Sequence, residues 1–526
     1  MNYRKAEVPF SKSKKSKALM VQGTSSYCGK SLLVAALCKI FSEAGYKVAP
    51  FKAQNMSLNS FVTEDGKEVA RAQALQAFAA SIEPTVDMNP ILLKPKGDTI
   101  SQVVFYGKPY KDMSAKDYYS EFALKEGLQS AKDSLERLMF RFDIIFIEGA
   151  GSPAEINIYD TDIVNMRIAE FVKAPVLLIS DIDRGGVFAS LVGTLELLKP
   201  QHQELIKGFI INKFRGQLSL LEPGLLKLTE ITGKPVLGVI PFIQDLILPD
   251  EDSMSLERVS QIDEGKIVIV VVRLPRISNF TDFDPLESEP SVKVRYIKSV
   301  EELGKPNAII IPGTKNTVQD LLWLKNNGLA DEIFRLAKKG TPVLGVCGGY
   351  QIIGKKVLDK KGIEGGTPIE FTGIGLLNTV TEFQQYEKMT ERVVAQIIGD
   401  SPMLHSGIGK TIIGYEIHMG KTSLGKDVKP AFRIIRRGSK DVYDFDGAVD
   451  ASGSILGTYI HGIFDELPAR RSFVDFLTKK SGIKPSNEAV SDVRAEWEKS
   501  LRQLAKIVKT SLDMDKVCKI IDVPII

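Results

Sequence analysis

Two short runs in this chain bring together residue types that do chemistry. The first is Gly23-Thr-Ser-Ser-Tyr-Cys-Gly29-Lys30-Ser31, and the second is Cys347-Gly-Gly-Tyr-Gln351. In the first, the glycines at 23 and 29 let the backbone turn tightly, so that several N–H groups converge on phosphate oxygens. Five residues separate them, one more than in the common phosphate loop, and the physics is unchanged. Lys30 is placed to meet the terminal phosphates of a nucleoside triphosphate, and the Ser31 hydroxyl to help hold Mg²⁺. In the second run, a cysteine at a sharp strand-to-helix turn lies where a helix dipole favours the thiolate. Such a thiolate can attack a carboxamide to give an acyl thioester, with the Gly348 N–H placed to stabilise the oxyanion.

The cysteine needs a base, and the chain has four histidines. His202 falls in the wrong half of the chain and His405 in an irregular Ser/Pro/Gly stretch. His418, in Gly414-Tyr-Glu-Ile-His-Met-Gly420, and His461, in Tyr459-Ile-His-Gly-Ile-Phe-Asp465, both end apolar strands in the right half. Pro312-Gly-Thr-Lys-Asn-Thr317, after a neighbouring strand, is a candidate source of a second oxyanion donor. On the phosphate side, Glu148 directly follows an apolar strand, where parallel sheets hold metal and substrate. Asn212 ends another strand and could reach an adenine edge. A chain with both sites suits an enzyme that activates a carboxylate with ATP and then supplies ammonia cut from glutamine.

The elements that position these residues alternate between apolar strands and helices. Ala18–Gln22, Asp143–Ile147, Pro175–Ile179, Gly208–Ile211 and Pro235–Ile240 predict a parallel sheet covered on both faces. A second α/β series runs through 266–272, 307–311 and 342–346 and ends near 457–460. The expected division is a basic tail (1–17), a phosphate-loop synthetase domain (18–241), a linker rich in Asp, Glu, Pro and Ser (242–264), an amidotransferase-type α/β domain (265–480) and a C-terminal helical segment (481–526). In that last segment Val493, Trp497, Leu501, Leu504, Val508 and Leu512 share one helical face, read as packing against the protein itself.

Composition excludes several classes. The 526 residues carry 69 basic and 65 acidic side chains, a balance that argues against a nucleic-acid partner. No apolar run approaches the roughly 20 residues of a membrane span, and no apolar core follows the charged N-terminus as in a signal peptide. Four cysteines lie far apart with no CxxC pair, the pattern of reduced thiols in a cytoplasm.

The wide loop, Glu148-Gly-Ala-Gly151 and Asn212 together resemble the dethiobiotin synthetase group of phosphate-loop enzymes. That resemblance implies phosphorylation of a carboxylate or carbamate to a mixed anhydride, and it matches Lys52 to a second substrate-binding lysine. The Cys347 segment resembles the class I glutamine amidotransferases, in which the base follows the last strand; this favours His461. Ile463 stands where that class usually carries an orienting carboxylate, and the nearest acids are Asp465 and Glu466. The cobalamin branch of the class is known for a Cys–His dyad without it.

Further segments resemble signatures of the cobyric acid synthase family: Phe51-Lys-Ala-Gln-Asn-Met-Ser-Leu-Asn-Ser60, Arg71-Ala-Gln73, Met88–Pro95, Glu148–Glu155, Asp181-Ile-Asp-Arg-Gly-Gly186 and Ile211–Gly216. The match covers nearly the whole chain. It implies ATP-, Mg²⁺- and glutamine-dependent amidation of four peripheral carboxylates (b, d, e and g) of adenosylcobyrinic acid a,c-diamide, a corrinoid polycarboxylate. It also makes Asn55, Arg71, Gln73, Asp181, Asp183 and Arg184 candidates for substrate or phosphate contacts, with a structural hydrogen bond or ion pair equally open for each. The nearest rival is the sister a,c-diamide synthase, which shares the two-domain plan. A rival of another kind, a nucleotide-switched ATPase with a decayed amidotransferase module, predicts loss of the nucleophile or base, yet both are present.

Overall fold

The computed structural model describes residues 16–97, 99–244, 246–249, 266–364, 368–483 and 492–526. Most of the expected basic tail and of the expected linker therefore lies outside the described residues, while Lys17, placed in the tail, instead opens the first strand. The first domain is built on six parallel strands in the order Val236–Pro241, Ile206–Phe214, Val176–Asp181, Lys17–Gly23, Ile144–Glu148 and Val48–Phe51. The four strands Lys17–Gly23, Val48–Phe51, Ile144–Glu148 and Val176–Asp181 read as near-continuous runs of buried residues, as a sheet covered on both faces requires. The first strand in sequence lies inside the sheet, beside both Ile144–Glu148 and Val176–Asp181. Its loop therefore opens at the carboxyl ends of three neighbouring strands, where ligands bind in such sheets.

A small mixed sheet, Gln54–Met56, Ile91–Pro95, Ile100–Phe105 and Lys108–Ser114, is added to this domain. It and the edge strand Val48–Phe51 were not expected from the sequence. The second domain has its own six-stranded sheet, ordered Val292–Ile297, Ile267–Val272, Ala308–Ile311, Val343–Val346, Ile455–Thr458 and Ala448–Val449. Only the last, short strand is antiparallel. Against it stands a five-stranded antiparallel sheet, Lys440–Asp446, Phe432–Arg437, Met389–Ile397, Thr411–His418 and Ile460–His461. The chain passes from the parallel to the antiparallel sheet at Tyr459, which carries His461 inward to pair beside Tyr415.

The C-terminal segment returns to the first domain. Helix Val493–Ser511 lays Leu501, Leu504, Ala505 and Val508 into the same core as Leu33, Leu37 and Phe41 of helix Lys30–Glu43. Each such buried aliphatic side chain contributes about 1.5–3 kcal/mol through removal from water. Asp492 caps the helix by accepting from Arg494 N and Ala495 N, and Lys39 pairs with Glu498 at 2.6 Å. Ile243, Leu246 and Leu248, inside the expected linker, also pack on this core. No helix among the described residues is long and apolar enough to cross a membrane. Cys28, Cys38, Cys347 and Cys518 are all buried free thiols.

Candidate active site

The phosphate loop leaves its strand at Gly23 and enters helix Lys30–Glu43 through Gly29, whose φ of 105° lies in the left-handed region. A side chain there would also collide with the Asn212 amide, 2.1 Å from the position of a Cβ. Asn212 Nδ2 in turn donates to the Cys28 carbonyl at 2.9 Å, so this residue braces the loop. The Lys30 ammonium lies within the loop, donating to the carbonyls of Ser25 (2.8 Å) and Gly151 (3.1 Å).

Glu148 is the centre of the site. It is fully buried at the end of its strand, and four side chains converge on it. Ser31 Oγ donates to Oε1 at 2.9 Å and the Lys52 ammonium to the same oxygen at 2.8 Å. Gln76 Nε2 donates to Oε2 at 2.5 Å and Gln73 Nε2 to it at 3.3 Å; Asn55 then donates to Gln73 Oε1 at 2.8 Å. A buried carboxylate is tolerated when it is paired and hydrogen-bonded in this way. The Ser31 hydroxyl and the Glu148 carboxylate form a hard-oxygen pair beside the phosphate loop. That donor set fits Mg²⁺, which takes few protein ligands and completes its shell with phosphate and water.

The second site is built on strained backbone. Cys347 has φ 52° and ψ −111° at the start of helix Gly348–Ile353, so the strain falls on the cysteine itself. The neighbouring glycines serve close packing: a Cβ at Gly349 would sit 1.9 Å from the Ile311 carbonyl oxygen. The loop after Ile311 lies against the turn as well, with Thr314 N 3.0 Å from where a Gly348 Cβ would stand.

The Cys347 sulfur donates to the Ile417 carbonyl at 3.5 Å and lies beside the imidazole of His461. The His461 Nδ1 bonds Asp282 Oδ2 at 2.6 Å, while Asp282 Oδ1 accepts from Gly462 N at 3.1 Å. Asp282 belongs to the short helix Phe280–Phe283 and is buried. Tyr415 stacks on the imidazole, with ring centroids 5.3 Å apart and planes 15° apart. Burial opposes the charge on His461, but Asp282 and the Cys347 sulfur outweigh it and hold the imidazole's pKa up at about 10. The result is a Cys–His–Asp triad. The sequence left the orienting group open, with Asp465 and Glu466 the nearest acids and a Cys–His dyad the precedent; the structure instead puts Asp282 on the imidazole. His418 is stacked on Tyr459 instead, with ring centroids 3.7 Å apart, and burial pushes its pKa down to about 3.

Residues 19–256 match the CobQ/CobB/MinD/ParA nucleotide binding domain, and residues 268–469 match the CobB/CobQ-like glutamine amidotransferase domain. The chain is 48% identical over 512 residues to a cobyric acid synthase of Pelotomaculum thermopropionicum, covering 97% of each chain. Its likeness to the cobyric acid synthase of Dehalococcoides mccartyi is 49% over 507 residues, covering 96% of this chain and 99% of that one. The chain belongs to the cobyric acid synthase family. Members of that family are ligases of cobalamin biosynthesis with a nucleotide-binding domain and a glutamine amidotransferase domain.

The remaining family-signature residues fall in different places. Asn55 and Gln73 join the Glu148 cluster. Arg71 is buried at the boundary between the domains, its guanidinium carbon 5.2 Å from the Trp497 ring centroid and 5.7 Å from that of Phe61. Asp181 pairs with Lys213 at 2.7 Å, and Lys213 also donates to the Tyr27 carbonyl of the phosphate loop at 2.7 Å. Asp183 pairs with Arg215 at 3.0 Å, and Arg184 is mostly exposed. Sequence reasoning missed Gln76 and Asp282. The helical spacing of Gln73 and Gln76 was a usable signal; nothing local marked Asp282.

Proposed function

We propose that this chain makes cobyric acid from adenosylcobyrinic acid a,c-diamide, amidating the b, d, e and g carboxylates through acyl phosphates. A substrate carboxylate oxygen attacks the γ-phosphorus of ATP and ADP leaves. Lys30 and the loop N–H groups stabilise charge on the transferring phosphoryl group, and Lys52 meets the carboxylate. Ser31 and Glu148 would hold Mg²⁺, which neutralises phosphate charge. In the other domain the Cys347 thiolate adds to the glutamine amide carbon, with Gly348 N–H on the oxyanion. His461 protonates the departing ammonia, and water then hydrolyses the thioester to glutamate. Ammonia attacks the acyl phosphate and inorganic phosphate leaves.

The observation that carries this reading is the way one short helix links the two sites. Helix Arg71–Ala79 carries Gln73 and Gln76 to Glu148, and its first N–H donates to the Asn59 carbonyl at 3.1 Å. Asn59 Oδ1 accepts from Phe280 N at 3.2 Å. Ser60 N donates at 2.9 Å to Asn279 Oδ1, whose Nδ2 lies 3.4 Å from both nitrogens of His461. A junction this close supports passage of ammonia inside the protein, which avoids its protonation in bulk solvent. The test is mass spectrometry of the corrinoid after incubation with Mg-ATP and ¹⁵N-amide glutamine. Four labelled nitrogens, lost in Cys347→Ala and restored as unlabelled nitrogens by free ammonia, are expected. Incorporation only into cobyrinic acid itself would indicate the a,c-diamide synthase activity, and no incorporation would overturn the ligase reading.

A further inference from the structure

A narrow cleft opens onto Cys347 and is lined by Lys94, Lys315, Lys388, Glu364, Thr317 and Gln351, among others. Lys94 comes from the other domain, in the Met88–Pro95 signature that the phosphate-loop and cysteine chemistry left unexplained. Its ammonium bonds Glu68 Oε1 at 2.5 Å and Ser60 Oγ at 2.8 Å. Lys388 pairs with the other oxygen of the same carboxylate. Glu68 is fully buried, yet the two ammoniums outweigh that burial and hold its pKa far below the usual carboxylate range. One carboxylate thus holds two cations in place.

Lys315 stands differently. Its backbone N–H is fixed by the Arg276 carbonyl at 3.0 Å, in the loop that packs against Gly348. Among the described residues its ammonium forms no ion pair. Burial, with the neighbouring lysines, pushes its pKa down to about 7. Glu364 lies opposite: one oxygen accepts from Thr317 N at 2.8 Å, and burial raises its pKa. The cleft lining therefore carries three lysines and one carboxylate, Glu364, next to the nucleophile, while Glu68 behind it takes up Lys94 and Lys388. Lys315 is half-buried and forms no ion pair among the described residues, so an anion brought to it offsets the cost of its burial. The chemical complement of one half-buried ammonium and one buried carboxylate beside a carboxamide-cleaving thiol is an α-amino acid whose side chain carries the amide.

We propose that Lys315 and Glu364 select glutamine by its α-substituents, Lys315 taking the α-carboxylate and Glu364 the α-ammonium. Lys94 and Lys388 saturate Glu68, which keeps that carboxylate from neutralising Lys315. One wall of the glutamine pocket is thus supplied by the nucleotide-binding domain. This rests on Cys347 being the glutaminase nucleophile.

The experiment compares three substrates on the full chain with Mg-ATP and corrinoid present: glutamine, glutaminamide (no α-carboxylate) and glutaramate (no α-amine). Lys315→Met is expected to lower kcat/KM for glutamine by about 10- to 100-fold, mainly through KM, while changing that for glutaminamide little. Lys315→Arg should restore part of the loss. Glu364→Gln should lower kcat/KM for glutamine and spare glutaramate. Amidation with free ammonia should persist in every variant. Equal losses with glutamine and its analogue, or no loss, overturn the proposal. Should Lys315→Met lose ammonia-dependent amidation too, the Glu364→Gln and glutaramate comparison decides the question. Glutaminase activity surviving in Cys347→Ala would instead overturn the assignment of the nucleophile.

Discussion

The Nδ1 of His461 meets Asp282 Oδ2 at 2.6 Å, although 179 positions separate the two residues. The carboxylate fixes the ring and, with Cys347 nearby, holds the imidazole's pKa up. In many triads the acid follows the histidine on the same strand. Here Ile463 turns into the core instead, packed with Ile460 and Phe464, and the acid comes from a short helix across the site.

Replacing Asp282 with asparagine keeps the shape and removes the charge. Glutaminase kcat should fall by about 10²- to 10⁴-fold. Synthetase activity supported by free ammonia should change little. A coupled assay run in parallel with glutamine and with ammonium chloride checks both halves.

The raised pKa of His461 sets a pH dependence. Burial lowers it, but Asp282 and Cys347 raise it above its ordinary 6.5 to about 10. Stability held by the charged imidazole is therefore fully present below pH 6.5 and is lost as pH rises toward about 10. The alkaline limb of the glutaminase profile should fall near the upper value. Asp282→Asn should move that limb toward neutrality; a profile identical to the parent's would contradict the pairing.

Glu148→Gln removes the charge on which Ser31, Lys52, Gln73 and Gln76 converge. Amidation should fall by about 10²-fold or more whether nitrogen comes from glutamine or from ammonia, since the phosphoryl step is lost. Glutamine hydrolysis measured without ATP should remain. That pattern is the mirror image of Asp282→Asn, and the two variants together separate the half-reactions.

Leu504→Ala should cost about 2–5 kcal/mol of stability, because Leu504 sits in the core beneath helix Lys30–Glu43. Chemical denaturation followed by tryptophan emission would report it, since Trp497 lies on the same helix. A loss confined to the last helices, with ATP binding intact, would show that the segment is an appendage.

Much of this was legible in the sequence because it was local. The phosphate loop, the Glu148 strand end and the Cys347 turn each declare themselves within ten residues, through glycine spacing and an apolar run beside them. His461 was legible by position after the last strand of its sheet. Asp282 was not, since a single Asp in Phe280-Thr-Asp-Phe283 has no pattern until the fold places it beside the imidazole. The antiparallel sheet of the second domain was missed for a related reason. Its strands alternate buried and exposed residues, as in Met389–Ile397, and lack the continuous apolar runs that marked the parallel strands. The lysines of the Cys347 cleft resemble surface lysines in sequence; only burial distinguishes them.

The return of helix Val493–Ser511 to the core of the first domain makes the amidotransferase domain an insertion, anchored at both ends in its neighbour. A single cut in the connecting segment would not free it, because the far end is still held beneath helix Lys30–Glu43. Each domain is therefore held beside the other at an effective concentration independent of how much protein a cell contains.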